Sequence, residues 1–143
     1  MKPLEWEKAL LMAKGVNPHI DDILDTAMAK VQAVVVLFSP DDEARLKNDF
    51  WKHGDGASEK QLRGQPRPNV IFEAGLALGR HPEKTLLVQV GTVRGFTDIA
   101  GKHLVRLNND YAKRNDLANR LRKIGCTVDR DGTDWTKAGD FTA

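Results

Sequence analysis

The chain predicts an α/β fold with a mostly parallel sheet, and three observations carry that expectation. Residues 33–38, AVVVLF, form a short continuous β-branched run, the composition of a strand covered on both faces. Residues 85–90, TLLVQV, repeat the pattern, so both are expected as interior strands. Around them the apolar spacing switches to a helical period, and an order of helix, strand, helix, strand builds a parallel sheet with helices on its faces.

The first helix is read in NPHIDDILDTAMAKVQ, where Ile20, Ile23, Leu24, Ala27, Met28 and Val31 recur at helical spacing. Asn17 is its expected N-cap and Pro18 its first residue, with Asp21 and Asp22 suited to the positive helix end. Ahead of it, residues 4–6 read as a stub of strand. Residues 47–66, KNDFWKHGDGASEKQLRGQP, are polar, glycine-rich and without period, which predicts a long, mobile surface loop. Trp51 within that loop is expected to pack locally. Pro68 then opens a helix in which Gly75 and Gly79, with Ala74 and Ala77, leave a thin face for close docking on the sheet. HLVRL is a short third strand, and residues 112–125 form an amphipathic helix that ends at Gly125. Arg114, Arg120 and Arg122 are expected on its solvated face. The tail, residues 130–143, is expected to be pinned by Trp135 and Phe141.

With 143 residues, the chain is expected to be a single domain, residues 1–143. Its net charge of +2 is small and its charges are mixed in sign, so neither a nucleic-acid nor a membrane partner is indicated. Its single cysteine, Cys126, fits a reducing compartment, and no apolar run approaches the roughly 20 residues that span a bilayer. A cytoplasmic location is therefore expected. The four histidines are scattered without metal-ligand spacing, so no metal site is expected.

In doubly wound sheets, ligands bind beyond the carboxyl ends of the strands. Phe38 ends the first strong strand, which puts Ser39, Asp41 and Asp42 at that edge as candidate partners of ribose hydroxyls. The same residues would also serve as a helix cap and an acidic first turn. In RPNVIFEAGLALGR, Asn69 and Glu73 stand about one turn apart on one side of the helix that starts at Pro68. Glu73 is the one carboxylate of an otherwise apolar segment. An unpaired charge there is turned to water, paired (Arg67 and Arg80 are the near candidates) or employed in chemistry.

AVVVLFSPDDEARL, RPNVIFEAGLALGR and TLLVQVG together resemble the TIR-like predicted nucleotide-binding proteins of bacteria. These are relatives of the TIR effector domains of cyclic-nucleotide antiphage systems, several of which cleave NAD+. The resemblance spans residues 3–141, and GTDWTKAGDF is similar to the closing segment of one bacterial subgroup. It implies a flavodoxin-like, TIR-type three-layer fold, Glu73 as the catalytic residue and an SPDD turn lining the pocket. It also implies NAD+ or a related nucleotide as substrate, with no resident cofactor. Residues 7–18, EKALLMAKGVNP, correspond to the family's mobile loop that gates the site and mediates assembly. The family's first strand and helix have no counterpart ahead of Pro3, so an N-terminally shortened fold is expected, with apolar edge left open to a homo-oligomer contact.

The implied function is cleavage of the nicotinamide–ribose bond of NAD+ in bacterial antiphage or stress defence. Such a reaction passes through an oxocarbenium-like state that one carboxylate can stabilise. Nicotinamide leaves as a neutral base, so no general acid is demanded. Two alternatives stand beside it. A nucleoside deoxyribosyltransferase has a similar F-E-x-G-x-A-x-G pattern and uses its glutamate as a covalent nucleophile. A non-catalytic scaffold would bind nucleotide or self-associate.

Overall fold

The computed structural model describes residues 2–95 and 104–141. The elements in chain order are α1 (Trp6–Met12), α2 (Ile20–Lys30), β1 (Val34–Phe38), β2 (Asp42–Ala44), α3 (Ala57–Lys60), β3 (Arg63–Gln65), α4 (Pro68–Arg80), β4 (Thr85–Val90), β5 (Val105–Leu107) and α5 (Tyr111–Ile124). Short 3-10 turns lie at Asn48–Phe50, Pro82–Lys84 and Asp134–Thr136. β1, β4 and β5 form a parallel sheet in that order, as the alternation of helix and strand predicts.

The sheet register explains the layers. Val35 and Leu37 of β1 lie beside Leu86 and Val88 of β4, and Val105 lies beside Val88, so these residues share one face. On that face Leu86, Val88, Val105 and Leu107 pack against Leu121 of α5 and against Cys126. On the opposite face Val36, Phe38 and Leu87 pack against Ala74 and Ala77 of α4 and Met28 of α2. Two helical layers therefore sandwich the sheet in a flavodoxin-like, TIR-type three-layer arrangement.

α2 and α4 are tied side by side. Arg80 forms an ion pair with Asp25, and the Lys84 ammonium donates to the Ala29 and Val31 carbonyls at 3.1 and 3.0 Å. Those carbonyls close the carboxyl end of α2, where a cation also suits the helix dipole. Thr85 ties the start of β4 to the end of α4, its hydroxyl directed at the Ala77 and His81 carbonyls.

Several expectations need correction. β4 is interior, but β1 pairs only with β4 among the described residues, so it is an edge rather than an interior strand. Val35 and Leu37 stay 47% and 49% exposed, because α5 covers β4 and β5 and stops short of β1. α2 starts at Ile20 with His19 at its N-cap, two residues later than the Asn17–Pro18 signal, and His19 makes no side-chain cap bond. Residues 6–12 form α1 rather than part of a strand or a loop, held against α2 by contacts that include a Lys30 bond to the Met12 carbonyl.

Arg114 is buried, not solvated. Its guanidinium donates to the Ala138 and Gly139 carbonyls and to Asn109 Oδ1, and it lies 4.8 Å from the centre of the Phe141 ring. It thus anchors the tail, with Phe141 joining the α5-side core and Trp135 bonding to the Arg130 carbonyl. Arg120 does lie on the helix surface and pairs with Asp116 one turn away. The α5 helix ends at Gly125, whose φ of 106° suits a residue without Cβ.

On α4 the close approach to the sheet comes from Ala74 and Ala77, both fully buried, whereas Gly75 and Gly79 face outward. A Cβ at either glycine would meet nothing within 4 Å. Their expected role in docking is therefore transferred to the alanines. Gly75→Ala and Gly79→Ala should each stabilise the domain by about 0.5–1 kcal/mol through helix propensity, measured as a higher urea midpoint with unchanged slope. A loss of stability would show that the outward face is covered.

Candidate functional site

The carboxyl ends of β1 and β4 are Phe38 and Val90, and the chain segments that leave them build the candidate site. From β1 runs the SPDD turn, in which Ser39 is half-buried and Asp41 and Asp42 are exposed. It does not cap a helix. Asp42 begins β2, which pairs antiparallel with β3 in the register Asp42–Gln65, Glu43–Gly64 and Ala44–Arg63.

Residues 47–66, expected as a long, mobile surface loop without periodic structure, lie at the surface up to residue 65 but contain a 3-10 turn, the short α3 and β3. The stabilising contacts are long-range, so no local periodicity announces them. Gly64 passes so close to the SPDD turn that a Cβ there would overlap Pro40 and approach the Thr92 carbonyl at 3.1 Å. The Gly64 carbonyl accepts the Arg94 amide at 2.8 Å. β3 is thereby wedged between the exits of β1 and β4. Trp51 packs locally as expected: its indole N–H donates to the Leu46 carbonyl at 3.1 Å, and Lys60 sits 5.5 Å from its ring centre.

α4 starts at Pro68, whose fixed φ and missing N–H suit a first helical position. Arg67 is the N-cap residue, and its guanidinium lies 3.5 Å from the Asp41 carboxylate. This contact brings the SPDD turn and the start of α4 together. Asn69 is exposed on the first turn, and its side chain makes no hydrogen bond among the described residues. Glu73 stands one turn further on, half-buried, beside the fully buried Ala74.

The arginines proposed as alternative partners of Glu73 are engaged elsewhere, Arg67 with Asp41 and Arg80 with Asp25. Among the described residues the Glu73 side chain has neither a hydrogen bond nor an ion pair. The structural alternative of a Glu73–Arg pair is thus not realised. Nor does any bond join Glu73 to Ser39, Asp41 or Asp42 among the described residues. The link from α4 to that turn is made by Arg67 and not by Glu73.

His103, the first residue of the expected third strand, lies outside the described residues, and the strand observed there is Val105–Leu107. Among the described residues no group of three His, Cys, Asp or Glu side chains is placed to hold a metal ion. No helix there is long and apolar enough to cross a membrane. A cleft of about 900 Å3 opens at the amino end of β1, between Leu4, Met12, Val31, Val35 and Cys126. It lies at the opposite end of the strand from the candidate residues, none of which lines it.

Sequence reasoning missed Gly64 and Arg94 as residues that shape this edge. The only local signal was a glycine in a polar segment, which reads equally as a turn.

A parallel sheet between two helical layers is the α/β architecture of TIR-like domains. A family model described as the CAP12/Pycsar effector protein, TIR domain, matches residues 1–109, and the chain belongs to that family. No curated protein and no solved structure matches the chain. α5 and the tail lie beyond the matched residues.

Because Glu73 has no bond to lose, Glu73→Gln should leave stability within about 0.5 kcal/mol of the parent, as substitutions away from buried networks do. A larger drop in chemical denaturation would reveal a partner that holds the fold.

Proposed function

We propose that this TIR-like effector domain cleaves the nicotinamide–ribose bond of NAD+ in antiphage defence, with Glu73 as the catalytic carboxylate. The observation that carries the reading is a half-buried glutamate on a rigid helix, without a partner among the described residues, while both neighbouring arginines are committed elsewhere. A carboxylate kept this way has no evident structural employment. Membership of an effector family supports the same direction.

In the proposed chemistry the bond between ribose C1′ and the pyridinium nitrogen breaks, and its electron pair leaves with neutral nicotinamide. Positive charge develops on C1′ and the ring oxygen, and the Glu73 carboxylate stabilises it. Water then adds to C1′ and loses a proton to solvent, giving ADP-ribose. Ser39, Asp41, Asp42 and Asn69 are proposed to contact the nucleotide, with hydroxyl, carboxylate and amide groups suited to ribose hydroxyls. Asp41 is restrained for this by Arg67.

The test is product analysis after incubation with NAD+ and, separately, with deoxynucleosides plus free bases. Nicotinamide release should fall by about a hundredfold or more in Glu73→Gln, the scale of losing a transition-state electrostatic contact. Unchanged turnover in that variant would remove Glu73 from the mechanism, and base exchange without nicotinamide release would favour deoxyribosyl transfer. Nucleotide binding with neither product would leave the scaffold reading.

We further propose that the protein works as a homo-oligomer through α1 and the segment after it. Leu11 and Val16 are 86% and 96% exposed, with Trp6, Leu10 and Ile20 also open to solvent. Such clustering of large apolar side chains marks a contact surface. Light scattering at high micromolar concentration should give a mass above that of one chain, and Leu11→Asp with Val16→Asp should return it to the monomer value. A monodisperse parent monomer would overturn this.

A further inference from the structure

The chain between β2 and β3, residues 45–62, leaves and returns at one narrow base. That base is rigid. It consists of the antiparallel pairing of β2 with β3, the wedge of Gly64 against Pro40 and the bond from the Arg94 amide to the Gly64 carbonyl. It straddles the carboxyl ends of β1 and β4, because Pro40 follows the first and Arg94 the second. Beyond the base the character changes: none of the described side chains from residue 45 to 65 is buried. The excursion is held by polar contacts, and segments without buried apolar anchorage open at low free energy while the core stays folded.

Those contacts converge on Glu59. Its carbonyl accepts the Leu46 amide at 2.9 Å, which in turn places the Leu46 carbonyl to receive the Trp51 indole. Its carboxylate forms an ion pair with the Arg94 guanidinium, the side chains being 38% and 21% exposed. Among the described residues, this is the one ion pair that joins the excursion to the chain leaving β4. Arg94 is therefore bound twice to the same neighbourhood, by its amide to the rigid base and by its guanidinium to the movable part.

We propose that residues 45–62 are a lid over the carboxyl edge of β1 and β4, and that the Arg94–Glu59 ion pair is the latch that holds it closed. The functional meaning of the lid rests on the reading of that edge as the nucleotide site. The latch itself does not. Water and salt weaken a partly exposed ion pair, so the lid opens without disturbing the sheet. An open lid frees the Arg94 guanidinium at the edge where a dinucleotide would bring its phosphates, and a phosphate group is a competitor that Arg favours. The lid also carries Phe50, 64% exposed, on its 3-10 turn.

The test is amide hydrogen exchange read by mass spectrometry on the full chain, comparing the parent with Glu59→Gln, Arg94→Gln and the charge-reversed double variant Glu59→Arg with Arg94→Glu. Peptides spanning residues 45–62 should exchange about fivefold faster in each single variant, the upper scale for loss of one partly exposed pair. Peptides from β1 and β4 should keep the parent's protection, and the double variant should restore slow exchange in the lid. The parent in high salt should behave like the single variants. Equal lid exchange in the parent and both single variants would overturn the latch. Faster exchange spreading through β4 would also overturn it, since the pair would then support the core. No arm uses NAD+, so failure of nicotinamide release leaves this result standing, and a failed latch leaves the catalytic test untouched.

Discussion

The docking of α4 onto the sheet through Ala74 and Ala77 is the constraint on which the candidate site depends. Two methyl-sized side chains, both fully buried against Val36, Phe38 and Leu87, bring the helix close to β1 and β4. Close-packed interiors tolerate little change in such a contact, since added volume must displace the helix or strain its neighbours. The position of Glu73 is a by-product of that contact. The residue before Ala74 in a helix so placed must lie at the boundary between core and solvent, half-buried, with its carboxylate carried by a rigid element.

Charge placement around α4 then keeps Glu73 available. Arg67 reaches forward to the SPDD turn and Arg80 reaches sideways to α2. Both pairs are largely exposed and of small value to stability. Their consequence is geometric: Arg67 and Arg80 are occupied at the helix ends, and among the described residues the carboxylate in the middle of the helix has no ion pair. An apolar helix with one acid unpaired among the described residues gains little stability from that acid.

The same edge shows how a short α/β sheet acquires a cover. The segment leaving β1 does not pass straight into a helix but doubles back as β2 and β3, and a glycine lets the returning strand lie against Pro40. At the opposite end of the chain, Arg114 performs a comparable service for the tail. It is buried among carbonyl oxygens and the Phe141 ring, so its charge is compensated by dipoles and a π face without a carboxylate. Both devices hold irregular chain against a regular core by polar contacts, with different burial and hence different firmness.

The continuous β-branched and apolar runs determined β1 and β4 from the sequence alone, because period and composition are local properties. Pro68 and Gly125 likewise marked helix ends through their own backbone restrictions, and the Glu73 carboxylate stood out against an apolar background. What local pattern could not supply was anything set by a distant partner. Among the described residues β1 proved an edge strand with Val35 and Leu37 half-exposed, because sheet order follows from which strands meet and not from how apolar each one is. Arg114 looked like a surface cation until the tail folded over it, and residues 47–66 looked featureless because the base of that segment is held by Pro40 and Arg94. The freedom of Glu73 was undecidable for the same reason: only the folded chain shows that Arg67 and Arg80, its neighbours in sequence, spend their charge on Asp41 and Asp25.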